Sequence, residues 1–193
     1  MSFAYRLALL LHIGFVLAAI SASTLLHFSQ RQARAATAPA EVQRWLRYML
    51  RVSVAFPIVL VGLLATGGYM VTASWTWRAA WVNAGLAGLA FLLVNGVRLG
   101  KSGRALLRDL DVARETGGST APFADRLRRA DGAGWANTGI ALGVVVAMTT
   151  KPGLAGAFAI VVIGGVLGAL AGLRASASAS AAAAEGALSG EPG

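Results

Sequence analysis

The chain has 193 residues, 56% of them hydrophobic and only 13% charged, and its mean hydropathy of +0.66 assigns it to a membrane. With no cysteine and two histidines, it cannot form disulfides, thiolate metal centres, a cysteine nucleophile or an all-histidine metal cage within one protomer. The net charge of +9 is carried almost wholly by arginine, which in a soluble protein would suggest nucleic acid; beside apolar spans it reports topology and contact with a lipid bilayer, and no nucleic-acid partner is expected.

A helix rises about 1.5 Å per residue and the hydrocarbon slab is about 30 Å thick, so about 20 apolar residues cross it. Leu7–Leu26 is the first such run, and it is followed by His27, so that LALLLHIGFVLAAISASTLLHF contains both histidines of the chain, His12 and His27. Arg6, the apolar core and Ser21-Ala22-Ser23 also imitate a cleaved signal peptide. Cleavage would place the arginines that follow on the wrong side for the later spans, so the helix is expected to be retained. Those arginines, Arg31, Arg34, Arg44, Arg47 and Arg51, predict a lipid-facing basic surface, with Trp45 and Tyr48 at the membrane interface.

The second span is expected at Val52–Thr72, where Gly67-Gly68 serves helix packing, and the third at Ala79–Val97, bracketed by Trp75, Trp77 and Trp81 as an aromatic belt. From Lys101 to Asp131 the leucines Leu106, Leu107 and Leu110 gather near one helical face between charged positions, predicting a helical hairpin at the membrane surface, broken at GGSTAP. The fourth and fifth spans, Ala133–Thr150 and Gly153–Leu173, are separated only by Lys151-Pro152-Gly153 and should form a tight hairpin. In the fifth, Gly164, Gly168 and Gly172 recur at intervals of four, a stripe another helix can approach closely, whether from this chain or a second protomer. From residue 175 onward the sequence is low in complexity, and a disordered tail is expected.

The expected fold is therefore all-α, a polytopic bundle of five transmembrane spans. Of the 17 Lys and Arg residues, 14 fall on one side of such a bundle and 3, Arg6, Arg78 and Lys151, on the other. The positive-inside rule then puts the N-terminus outside and the C-terminus in the cytoplasm.

The chemistry available inside the spans is limited. No carboxylate falls within a proposed span, Asp131 standing at the entrance of the fourth, which argues against carboxylate-driven transport. The polar positions Asn83, Asn95, Asn137, Thr66, Thr149 and Thr150 suit hydrogen bonds between helices. His12 is the one ionisable residue well inside the hydrocarbon. It and His27 lie about 60° apart around the helix and about 22 Å apart along it, too far to share a metal. For His27 the first reading is a headgroup contact at the boundary. For His12 a structural hydrogen bond to a neighbouring helix comes first and a ligand role second. Met70 and Met148, near the same membrane face, are the soft ligands that could join His12 in a haem or copper site.

The run LHIGFVLAAISAS, Leu11 to Ser23, with the arginine-rich link behind it and PIVLVGLLATGGYM, Pro57 to Met70, resembles a group of bacterial integral membrane proteins. That group includes the copper-resistance D-type proteins and the J-type protoporphyrinogen oxidases. The resemblance covers about the first three spans and implies a bacterial cytoplasmic membrane, with His12 as a haem b or copper ligand. The later spans hold no histidine and the first lacks aromatic residues of the oxidase kind, which speaks against that enzymatic activity. The leading expectation is a non-enzymatic packing, assembly or anchoring unit, as a homo-oligomer or with a partner subunit. The alternative is a b-type haem or copper protein that carries electrons or metal through His12. Small-solute transport comes third.

Overall fold

A computed structural model describes residues 2–36, 38–116 and 121–189, with side chains described as far as 175 apart from a few positions around the 117–120 gap. Among the described residues there are six helices and no strand: α1 (Phe3–Ala35), α2 (Pro39–Ser53), α3 (Ala55–Ser74), α4 (Ala80–Thr116), α5 (Ala121–Thr150) and α6 (Leu154–Ser189). Five helical stretches are long and apolar enough to cross a membrane, namely α1, α2 with α3, α4, α5 and α6. The protein is thus an all-α polytopic bundle, with each expected span overlapping one of these stretches.

Local sequence explains the boundaries. Ser2 caps α1, its hydroxyl accepting from the Tyr5 amide at 3.2 Å. At the other end Ala36 turns extended, and Pro39 opens α2 at a position where its missing N–H is no loss. Only Val54 separates α2 from α3, with dihedrals that are still helical (φ −65°, ψ −23°). Pro57 accounts for the break: it cannot donate to the Ser53 carbonyl four residues back, and its ring crowds that group. Between α5 and α6, Lys151 adopts φ 50° and its amide caps the Ala147 carbonyl at 3.0 Å, reversing the chain within three residues. The Lys151 ammonium lies 3.8 Å from the centre of the Trp75 ring, which itself meets Trp81 edge-on, so part of the expected aromatic belt ties the α5–α6 turn to the ends of α3 and α4.

Two cores result. In the membrane, α4, α5 and α6 share Ala84, Ile140, Val144, Ala147, Ala157 and Val161. At the arginine-rich end, α2 lays Leu46 against Leu106 and Leu110 of α4 and Phe123 and Leu127 of α5. The hairpin there is not a separate surface element. Its arms are continuations of α4 and α5, and α4, with 37 residues, is about 55 Å long, well beyond the hydrocarbon thickness. The leucines of α4 find their cover on α2 and α5, and the helix passes Gly96, Gly100 and Gly103 unbroken. The turn expected at residues 117–120 lies outside the described residues. Backbone helix continues through the expected tail to Ser189, and residues 190–193 lie outside the described residues.

The glycine stripe of α6 finds its partner in the same chain. A Cβ on Gly164 would run into the Gly139 carbonyl of α5, one on Gly168 into the Trp135 carbonyl, and one on Gly172 would stand 3.1 Å from the Gly132 Cα. Backbone meets backbone along this seam. The α1–α3 pair packs differently. Phe15 of α1 rests on Gly62 of α3, and the His12 ring lies over Gly67, where a Cβ would stand 3.2 Å from its Cε1.

Candidate functional site

His12 reaches α3 directly. Its Nδ1 lies 2.9 Å from the Thr66 hydroxyl, and that hydroxyl donates to the Gly62 carbonyl at 2.6 Å. Thr66 has one hydrogen, so with that hydrogen on Gly62 it accepts from His12 Nδ1–H. When the imidazole is neutral, its lone pair is then on Nε2. Small residues of α3 make this possible, because Gly62 and Gly67 leave room for the Phe15 and His12 rings one turn apart on α1.

His27 also makes a contact between helices. Its ring stacks on Trp135 of α5 with centroids 4.2 Å apart and planes 24° apart, and its Nε2 lies 2.9 Å from the Thr138 hydroxyl. One turn further along α1, Gln30 lies across Gly134, where a Cβ would be 3.4 Å from its Nε2 and 3.6 Å from the His27 Cε1. A turn beyond that, Arg34 Nη1 pairs with Asp131 Oδ2 at 2.8 Å, with Asp131 1% exposed. His27, Gln30 and Arg34 thus form one stripe of α1 facing Asp131, Trp135 and Thr138 of the antiparallel α5.

The chain matches no protein-family model, no curated protein and no solved structure. The site must therefore be read from its own geometry.

Among the described residues no group of three or more His, Asp or Glu side chains could hold a metal ion. One nitrogen, His12 Nε2, is the donor that the His12 site offers. Met70 stands one turn beyond Thr66 on α3, while Met148 packs its methyl group over Gly85 of α4, within the core that α4, α5 and α6 share. A single nitrogen donor does not make a site for a hard, many-liganded ion.

The arginines divide. Arg34 turns inward onto Asp131, its side chain 15% exposed. Arg44 pairs with Glu41 on α2, Arg47 approaches Asp111 of α4 at 3.8 Å, and Arg31 and Arg51 are exposed. Gln43 also donates to Asp111, so α2 is tied to α4 by polar contacts around the Leu46 core. Phe28, Trp45 and Tyr48 meet edge to face and, with Leu25 and Arg44, line a recess of about 400 Å³ between α1 and α2.

Sequence reasoning named His27, Arg34 and Asp131 separately but missed that one stripe of α1 meets α5. The signal was present as matched spacing. Polar residues at 27, 30 and 34 lie on one face of α1, and those at 131, 135 and 138 lie on one face of α5, with an acid in register with a base once the helices run antiparallel.

Proposed function

We propose that the protein is a non-enzymatic assembly or anchoring unit of a bacterial cytoplasmic membrane, with the N-terminus outside and the arginine-rich end in the cytoplasm. The observation that carries this reading is the use made of polar groups along the helices. His12 is bound to Thr66, His27 to Thr138 and Asn95 to Asn137 at 2.7 Å, each across two helices of the same chain. Asn83, Thr149 and Thr150 bond carbonyls of their own helices. These side chains act as connectors between or along helices, which is what a scaffold requires. The surface it offers a second copy or a partner subunit is the α1–α3 pair, whose apolar windows are 6% buried against 22% in α4 and α6. The excess of 14 basic residues over 3 supports the orientation. A reporter active only outside the cytoplasm, fused after Arg114, should be silent, and activity there would refute that orientation.

A second reading rests on a specific observation, the Nδ1–H tautomer of His12. A ligating histidine commonly donates its other ring N–H to a fixed acceptor, as His12 does to Thr66. Haem b or copper bound at Nε2, with Met70 as the neighbouring thioether, would supply electron or metal transfer. The resemblance of Leu11 to Ser23 and Pro57 to Met70 to the copper-resistance and oxidase-like group points the same way. One experiment separates the two readings: purification in mild detergent from cells well supplied with haem and copper, followed by a visible spectrum and metal analysis. A colourless, metal-free protein is expected. A reduced-minus-oxidised Soret band, or stoichiometric copper, lost in His12→Ala and kept in His27→Ala would establish the second reading.

A further inference from the structure

The junction of α1 and α5 at the arginine-rich end buries several hydrogen-bond acceptors close together. Asp131 is 1% exposed, and its Oδ1 has no hydrogen-bond partner among the described residues; the same holds for Gln30 Oε1 and His27 Nδ1. All three atoms are buried. The state of His27 follows from Thr138, whose hydroxyl donates to the Gly134 carbonyl at 3.3 Å and so accepts from His27 Nε2–H. In that neutral tautomer Nδ1 is a lone pair, a third acceptor facing two others. Buried acceptors without donors are costly, and native proteins seldom leave several together.

We propose that this cluster is a proton-binding site, with His27 Nδ1 taking a proton from the water at the arginine-rich end. The added N–H would give Gln30 Oε1 a donor, and the Asp131 carboxylate would act on the imidazolium through its charge. The charged groups acting on His27 are Asp131 from α5 and Arg31 from α1, and Arg34 pairs with Oδ2 of the same carboxylate. Stacking on Trp135 suits the same chemistry, because an imidazolium against an indole face gains a cation–π attraction that neutral imidazole lacks. The site goes beyond an anchoring role and belongs to residues that role does not require to titrate.

The test is a histidine NMR titration of the full-length His12→Gln chain in detergent micelles, where His27 is the one imidazole. Its Cε1–H resonance is expected to move reversibly from the neutral to the imidazolium position as the pH falls, with burial holding the midpoint below the ordinary imidazole value. A resonance that stays at the neutral position throughout would overturn the proposal and assign the cluster to a bridging water. In Asp131→Asn, which keeps the shape and removes the anion, the midpoint should move to lower pH. An unmoved midpoint there overturns the role of Asp131. The first measurement is made with the junction intact, so the proposal remains falsifiable even where Asp131→Asn does not fold.

Discussion

Glycine is used in two ways in this bundle, and the difference separates its two halves. Between α5 and α6, glycine faces glycine, and carbonyls of one helix lie where a side chain of the other would begin. Between α1 and α3, glycine faces a ring, Phe15 over Gly62 and His12 over Gly67. The first seam admits no substitution because what a new Cβ would meet is backbone, which cannot rotate away. The second is adjustable, because a phenyl or imidazole ring can turn about its own bonds. A bundle with one rigid and one adjustable half can keep its shape through α4, α5 and α6 while the α1–α3 seam adjusts.

The largest effect should come from filling the rigid seam. Gly139→Val and Gly164→Val each drive two added methyl groups into a carbonyl, and we expect either to cost more than about 3 kcal/mol and to abolish monodisperse protein on size exclusion in detergent. A Gly164→Val protein that elutes and melts as the native chain does would show that α5 and α6 do not touch by backbone.

Next is the junction that locks the two halves together. Asp131→Ala leaves the Arg34 guanidinium without its carboxylate in a buried site, and a loss of about 3 kcal/mol is expected. Thermal melting of the detergent-solubilised protein would read it. Arg47→Ala, on an ion pair whose side chains are about half exposed, is the control at the same end and should change stability by less than about 1 kcal/mol. Comparable losses would mean that the α1–α5 pair is no more buried than the α2–α4 pair.

The rigid half was more legible in the sequence than the junction, for physical reasons. Helix number, the α5–α6 turn and the Gly164, Gly168, Gly172 stripe follow from composition and local spacing, which one segment displays by itself. The partner of that stripe was not readable, since Gly132, Gly139 and Gly143 pair with it only after the hairpin brings the helices into register. Asp131 looked like a boundary residue because a carboxylate at a span entrance is at home in water. Its burial depends on Arg34, nearly a hundred residues away, and on α1 lying against α5. The packing of the expected hairpin was likewise only half legible. The leucine face at Leu106, Leu107 and Leu110 signals burial without saying against what, and α2 proved to be the cover. His12 was the easier case, since its first reading, a hydrogen bond to a neighbouring helix, needs only one polar residue at the right height on α3, and Thr66 is there.

The adjustable seam gives the smaller effects. Gly62→Ala should cost about 1–2 kcal/mol, since its Cβ must displace the Phe15 ring, and Phe15→Leu in the same chain should recover part of the loss because a shorter side chain vacates that space. The equivalent change in the rigid seam, Gly139→Ala, has no such rescue, as no side chain is there to be shortened.

The smallest effect is the His12–Thr66 hydrogen bond itself. Interhelical hydrogen bonds within membranes average about 0.6 kcal/mol and reach about 1.7 in double-mutant cycles, because the polar groups find other partners once the helices separate. A cycle of His12→Phe and Thr66→Val should therefore give a coupling energy of about 1 kcal/mol. Thr66→Val alone removes the acceptor that fixes the Nδ1–H tautomer, while Gly62 and Gly67 still hold the ring in place. If His12 serves packing alone, the cycle and the melting temperature report everything the pair does. Should Thr66→Val leave stability nearly native yet abolish a haem spectrum or copper content found in the wild-type chain, the hydrogen bond orients a ligand, and the anchoring reading gives way to the second.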